Sequence, residues 1–383
     1  MILLPQADGR VVEHSTGPPR EWPEPVRPLR SRAVFAAAHV VPRVLGENVP
    51  GAPADLDWDT TLAVRHRIWS SGLGVAEAVD TAQRGMGLGW PEAAELVRRS
   101  SAEARSVCGA IAAGAGTDHL TGTPTLPRVL DAYREQVEVV AGAGARVILM
   151  ASRALAAVAR SAEDYASVYG TLLEEADEPV VLHWLGPMFD PALRGYWGSE
   201  DVSTATETFL EVIRSRPEKV DGVKVSLLDA EREVALRRVL PTGVRLYTGD
   251  DFHYPELIVG SGGDFSDALL GIFAAVHPAA SAAVQALDRD DPLTAKSILD
   301  STEPLGRHLF EQPTFHYKTG IAFLSWLNGH QPGFSMVGGL HAGRSVPHLA
   351  EVFRLADRAG LLVDPDAAEE RMRAFLAVNG VQR

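Results

Sequence analysis

The sequence predicts a (β/α)8 TIM barrel with a C-terminal helical appendage and an N-terminal Pro-rich arm. Three observations carry this reading. From Ala33 onward, eight short apolar runs alternate with longer segments of helical period, the pattern of βα units built on a parallel sheet. These units occupy about 240 residues, the size that such a barrel needs. The first run leads into Pro42, Arg43 and Val44 without the G-x-G-x-x-G phosphate turn that an open, doubly wound sheet would favour.

The elements follow in order. Residues 1–31 carry Pro5, Pro18, Pro19, Pro23, Pro25 and Pro28 among charges, which favours extended backbone and predicts an arm. Strands are expected at 33–40, 74–79, 107–113, 146–151, 179–184, 220–227, 243–248 and 263–270. Helices are expected between them at 59–71, 91–106, 125–141, 162–176, 203–215, 229–239 and 254–259, several opened by Asp, Ser or Pro. Beyond residue 275 the pattern is helix only, at 279–287, 293–310, 314–328, 346–359 and 367–378, interrupted by the Gly/Pro-rich stretch 329–344. The chain thus divides into an arm (1–31), a barrel (32–275) and a helical region (276–383).

Composition narrows the function. Among 383 residues, 36 Lys and Arg stand against 50 Asp and Glu, a net charge of −14 that repels nucleic acid and anionic membranes. The single cysteine, Cys108, lies in a Val-Cys-Gly-Ala-Ile run that reads as buried, so neither a disulfide framework nor a Cys-rich zinc site is possible. Met1 to Pro5 is too short an apolar stretch for a signal or a span, so a cytoplasmic protein is expected. Four of the 36 basic residues are lysines, Lys219, Lys224, Lys296 and Lys318, so each invites a question.

A barrel places its chemistry at the C-terminal ends of the strands. The candidates there are Glu77 and Asp80 after the second strand, Asp118 and His119 after the third, and Ser152 and Arg153 after the fourth. His183 belongs to the fifth, Lys224 to the sixth, Asp250, Asp251 and His253 to the seventh, and Ser261 to the eighth. Lys224 lies between Val223 and Val225, so the strand period turns it to the face opposite them, the lumen. Desolvation there lowers an amine's pKa and yields the neutral nucleophile that attacks a carbonyl. A lysine paired with a buried carboxylate is the bland alternative.

Segment 222–226, Gly-Val-Lys-Val-Ser, is preceded by Pro-Val-Val-Leu-His-Trp-Leu-Gly-Pro at 179–187 and followed by Leu-Tyr-Thr-Gly-Asp-Asp at 246–251. In order and spacing these resemble the class I aldolase family of dihydrodipicolinate synthase and N-acetylneuraminate lyase. Asp-Trp-Asp at 57–59, Pro91-Glu92 and the helical tail are similar too, and the likeness extends over about residues 31–360. The resemblance implies that Lys224 is the Schiff-base lysine and that His183 replaces the family's catalytic tyrosine, where an imidazole can still shuttle a proton.

The chain reads as a divergent member. The family's Gly-Thr-Thr-Gly-Glu loop, which holds a substrate carboxylate, has become Asp-Thr-Ala-Gln-Arg-Gly-Met-Gly at 80–87. Thr81 and Gln83 can donate hydrogen bonds, but Glu77 and Asp80 are expected to repel a 2-oxo acid. The fourth strand offers Ser152 and Arg153 in place of the family's Pro-Tyr-Tyr.

The expected function is a Schiff-base class I aldolase or lyase of carbohydrate metabolism. Its substrate would be a small carbonyl compound, polyhydroxylated or sugar-derived, and its assembly a homo-oligomer, dimer or tetramer. No cofactor and no metal site is assigned. The alternatives are a metal-dependent sugar isomerase or epimerase, in which Glu77, Asp118, His119, His183, Asp250, Asp251 and His253 supply ligands, and a ligand-binding pseudoenzyme. Lys318, on a C-terminal helix, reads as a solvated or packing lysine.

Overall fold

The computed structural model describes residues 1–25, 28–79, 83–261 and 263–381. Eight parallel strands close into a barrel in chain order: β3 (Val34–Ala37), β4 (Gly74–Glu77), β5 (Ile111–Ala115), β6 (Arg146–Leu149), β7 (Val180–Leu185), β8 (Val220–Ser226), β9 (Arg245–Thr248) and β10 (Asp267–Leu270), the last pairing with β3. The intervening helices are α1 (Trp58–Ser70), α2 (Trp90–Ser106), α3 (Leu126–Gly142), α4 (Arg153–Val158), α5 (Ala162–Glu175), α6 (Val202–Ser215), α7 (Ala230–Arg237) and α8 (Tyr254–Val259). Side-chain caps fix several starts, as at Asp57, Thr125, Asp201 and Asp229, whose oxygens accept from the backbone N–H three residues on.

The strand period sorts side chains into two layers. Phe35, Ala76, Ala112, Ile148, Val181, Tyr247 and Leu269 fill the lumen. Val75, Ala113, Val147, Leu182, Val223, Leu246 and Ala268 pack outward against the helices. Any residue two positions along from a lumen residue therefore also faces the lumen.

The helical region follows as α9 (Phe273–Leu287), α10 (Pro292–Leu309), α11 (Tyr317–Leu327), α12 (Val346–Arg358) and α13 (Pro365–Val378). α10 and α11 cross the C-terminal ends of β9, β10 and β3. A Cβ on Gly306 would stand 2.9 Å from the Asp251 carbonyl oxygen, and one on Gly271 would stand 2.6 Å from the Tyr317 ring.

Three expectations change. The arm is not simply extended: β1 (Ile2–Pro5) and β2 (Val11–His14) form an antiparallel hairpin. Ile2 and Leu4 are buried, Arg354 of α12 donates to the Leu4 and Pro5 carbonyls, and His14 bonds Asp357. The third barrel strand starts at Ile111, because α2 runs on to Ser106 and Cys108 takes a left-handed turn (φ +52°) that leaves it exposed rather than buried. The eighth strand starts at Asp267, four residues later than expected. Among the described residues, no helix is long and apolar enough to cross a membrane.

Candidate active site

Lys224 extends from β8 into the lumen at its C-terminal end. Its register partners are His183 on β7 and Tyr247 on β9, in phase with the lumen residues Val181 and Tyr247. The side chain is buried, with 8% of the residue exposed. Space is made for it by Gly249, where a Cβ would stand 3.1 Å from Lys224 Cε and 2.2 Å from Ser226 Oγ. His183 is fully buried, and its Nε2 lies 3.2 Å from Ser226 Oγ. Nucleophile candidate, imidazole and hydroxyl thus share one wall.

Asp251 continues the β9 phase through Gly249. It is 3% exposed and accepts a 2.8 Å bond from the Ile272 N–H. Burial pushes its carboxyl up to about 7, against the pull of the Ile272 bond and of the Lys224 and Lys318 cations. A carboxyl poised there can both give and take a proton near neutral pH.

Sequence reasoning missed the other cation. Lys318, at the start of α11, is 2% exposed, and its Nζ donates to the carbonyl of Ala37, the last residue of β3. Burial, reinforced by Arg65 and Lys224 against Asp251 and Glu77, draws its ammonium down to about 7. It is neither solvated nor a mere packing lysine. One signal was available: in Tyr-Lys-Thr-Gly-Ile-Ala-Phe-Leu-Ser-Trp-Leu of α11 Lys318 is the one charged residue, and a helix without a charged face is a buried helix.

Glu77 does not face the mouth. It shares the outward phase of Val75, and its two oxygens meet Arg65 Nε and Nη2 of α1 at 2.9 Å each, with Ser100 Oγ of α2 at 2.7 Å. Both partners of this ion pair are fully buried. The expectation that Glu77 repels a substrate carboxylate is therefore corrected: its charge is turned away from the lumen and compensated. Asp80 and Thr81 lie outside the described residues. Gln83 is buried with φ +70°, and its Oε1 accepts from the Val40 N–H at 2.7 Å.

The other candidates divide. Asp118 and Ser152 line a cavity of about 660 Å3 over the ends of β4 to β7, with Thr117, Arg153 and Asp190. Burial pushes the Asp118 carboxyl up, but the Arg84 guanidinium at 2.7 Å and a Gln136 bond outweigh it and hold it low. Ser152 Oγ meets Thr117 Oγ1 at 2.5 Å and caps α4, while exposed Arg153 pairs with Asp190. His119 bonds Glu135 and Gln136 and sits beside Trp90. Asp250 takes the outward phase of Thr248 and holds the Phe252 and His253 N–H groups and the His253 ring, so these two build a turn rather than a site. Ser261 pairs with Asp264 ahead of β10 and so lies at the opposite, N-terminal end of the barrel.

The strand-end acids and imidazoles therefore do not converge on one metal position. Among the described residues, the grouping with converging ligand atoms is His308, Glu311 and His348, on the helical region away from the lumen. There the two imidazoles stack at 4.0 Å and His308 Nε2 meets the His348 carbonyl, while His348 Nε2 is buried without a hydrogen-bond partner among the described residues.

The model of a family described as "Protein of unknown function (DUF993)" matches residues 2–381. No curated protein matches the sequence. Solved structures do. A prophage protein of the dihydrodipicolinic acid synthase family from E. coli K12, in complex with pyruvate, is 13% identical with TM-score 0.65, covering 86% of this chain and 99% of its own. Dihydrodipicolinate synthase from Thermotoga maritima is 16% identical with TM-score 0.63, covering 86% and 99%. The Acinetobacter baumannii enzyme, also with pyruvate, is 16% identical with TM-score 0.61, covering 87% and 100%. At these identities the likeness shows the fold, the barrel of the dihydrodipicolinate synthase family with its helical tail.

Proposed function

For a chain that belongs to the DUF993 family and folds as a dihydrodipicolinate synthase-like barrel, we propose the activity of a Schiff-base class I aldolase or lyase, with Lys224 as the nucleophile. The observation that carries this is the lumen placement of Lys224, beside His183 and Ser226 and facing Asp251.

The neutral Lys224 amine adds to the substrate carbonyl, forming a C–N bond, and the carbinolamine loses water to give an iminium. The iminium draws in the electrons of the neighbouring C–C bond. As that bond breaks, a base removes the proton of the departing carbinol, an aldehyde leaves, and an enamine remains. Protonation of the enamine carbon and hydrolysis of the imine return free Lys224; addition runs the same steps backward. Asp251, titrating near 7, suits the proton transfers, and the His183–Ser226 pair suits delivery of a proton at the carbinolamine. Lys318, which also loses its proton near 7, adds a second positive charge that opposes protonation of Lys224.

The substrate in this reading is a polyhydroxylated carbonyl compound. Thr117, Ser152, Asp118 and Asp190 on the wall of the large cavity offer partners for hydroxyl groups. The test is borohydride reduction in the presence of dihydroxyacetone, followed by peptide mass mapping. A single adduct on Lys224, absent from Lys224→Arg, is expected, because a guanidinium stays protonated. An adduct on another lysine, or none, overturns the assignment.

A further inference from the structure

A second cavity, of about 340 Å3, lies behind the end of β3, walled by the N-terminal arm, α1, α9, α11 and the turn between α12 and α13. In a chain of net charge −14, none of its described lining residues is acidic. Arg20 and Arg67 stand on its rim, both exposed, and neither has a carboxylate partner among the described residues. His39, His277 and His330 line its interior. Burial, with neighbouring cations, draws their imidazoles down to about 3, 3 and 4, so all are neutral at pH 7 and act as hydrogen-bonding groups. His39 Nδ1 and Ser325 Oγ are buried without a hydrogen-bond partner among the described residues.

The arm is fixed here by contacts that present its side chains. The Gly17 N–H donates to Asp357 at 3.0 Å, and Gly360 (φ +69°) has no Cβ that would otherwise stand 2.5 Å from Arg20 Cβ. The close approach holds Arg20 over the Trp22 ring at 4.2 Å, at the entrance. Beneath them Ile321, Leu324 and Leu362 supply the apolar part of the wall.

We propose that this cavity is a binding site for a small organic carboxylate with an apolar body. The carboxylate meets the Arg20 and Arg67 guanidiniums, whose planar forks match it. The body lies against Trp22, Ile321 and Leu324. An inorganic anion would take the charge but leave the apolar walls unfilled, and a neutral molecule would leave the arginines unused. The site is separate from Lys224 and stands whether or not that lysine forms an imine.

The full chain is titrated calorimetrically with benzoate, with its neutral isostere benzamide and with inorganic phosphate. Benzoate is expected to bind about tenfold or more tighter than either, and Arg20→Gln/Arg67→Gln to weaken it about tenfold. Arg67→Lys, which keeps the charge and loses the fork, should fall between. Both arginines are exposed, so the thermal midpoint of the variants checks that they fold. Equal binding of benzamide, benzoate binding unchanged in the double variant, or no benzoate binding at about 10 mM overturns the proposal.

Discussion

Replacing Lys318 by Met tests the most unexpected feature of the lumen. Burial draws this ammonium from its ordinary 10.5 down to about 7. Between those values the unfolded chain holds a proton that the folded chain has released, so stability rises with pH across this window. Below pH 7 the folded state carries the full cost of the buried charge. The fall from 10.5 to about 7 corresponds to about 5 kcal/mol. Methionine has similar length and no charge, so it relieves that cost but forfeits the bond to the Ala37 carbonyl, about 1–3 kcal/mol. The variant should therefore be more stable than the parent at pH 6 by about 2–4 kcal/mol, with the advantage falling by about 1.4 kcal/mol per pH unit above 7 and reversing by about pH 10. Urea titrations followed by circular dichroism at pH 6, 8 and 10 read the difference directly. A gap that does not change with pH would mean that Lys318 ionises at its ordinary value, and the reasoning fails.

Three further outcomes are expected. Glu77→Gln leaves the fully buried Arg65 without its counter-ion, so it should lower stability by about 3–5 kcal/mol while the folded fraction still traps an imine on Lys224; an altered substrate preference with unchanged stability would contradict this. Asp251→Asn should remove the limb near pH 7 from the pH dependence of trapping. Because the raised carboxyl costs the parent stability as pH climbs from its ordinary 3.8 through about 7, the Asn variant should also gain up to about 4 kcal/mol over that range in urea midpoints. In competition at equal concentration, dihydroxyacetone should trap on Lys224 faster than pyruvate; faster pyruvate trapping would refute the polyhydroxylated substrate and leave the imine mechanism standing.

The barrel was legible because each strand is buried on both faces and reads as an apolar run, and because capping residues mark the helix starts. Lys224 was legible from phase alone, between Val223 and Val225. The same rule, applied to β4, puts Glu77 outside with Val75. Grouping residues as strand-end acids overlooked that phase, and the partners Arg65 and Ser100 lie on two different helices. Ser261 was misplaced because it precedes even the expected start of the eighth strand at 263, and a residue ahead of a strand belongs to the other end of the barrel. Lys318 required knowing that α11 crosses the mouth, a tertiary fact that no strand period contains. The hairpin in the arm was hidden by the prolines around it, although Gly9 between two apolar runs marked its turn.

The placement of α11 changes the electrostatic reading of the site. With Glu77 paired outward to Arg65 and Asp118 held by Arg84, the described charges that act together in the lumen are Lys224, Lys318 and Asp251. Lys318 and Asp251 both titrate near 7, so around neutral pH the carboxyl is only partly ionised while the lysines carry whatever positive charge remains. An anionic substrate meets no net repulsion from these groups, so discrimination against a 2-oxo acid has to come from hydroxyl partners on the cavity wall rather than from charge. As pH falls below 7, Asp251 is neutralised and Lys318 gains its proton, which makes the lumen more positive and disfavours a second ammonium at Lys224. As pH rises, both changes reverse. Under the proposed imine mechanism the acidic side is therefore limited by loss of the Asp251 base at the end of β9, while the charge that Lys318 gains, carried in by the helical region, works against protonation of Lys224. Under the proposed imine mechanism the helices beyond the barrel belong to the chemistry, because without α11 the Lys224 pocket would lose both its roof and the neighbouring amine of Lys318.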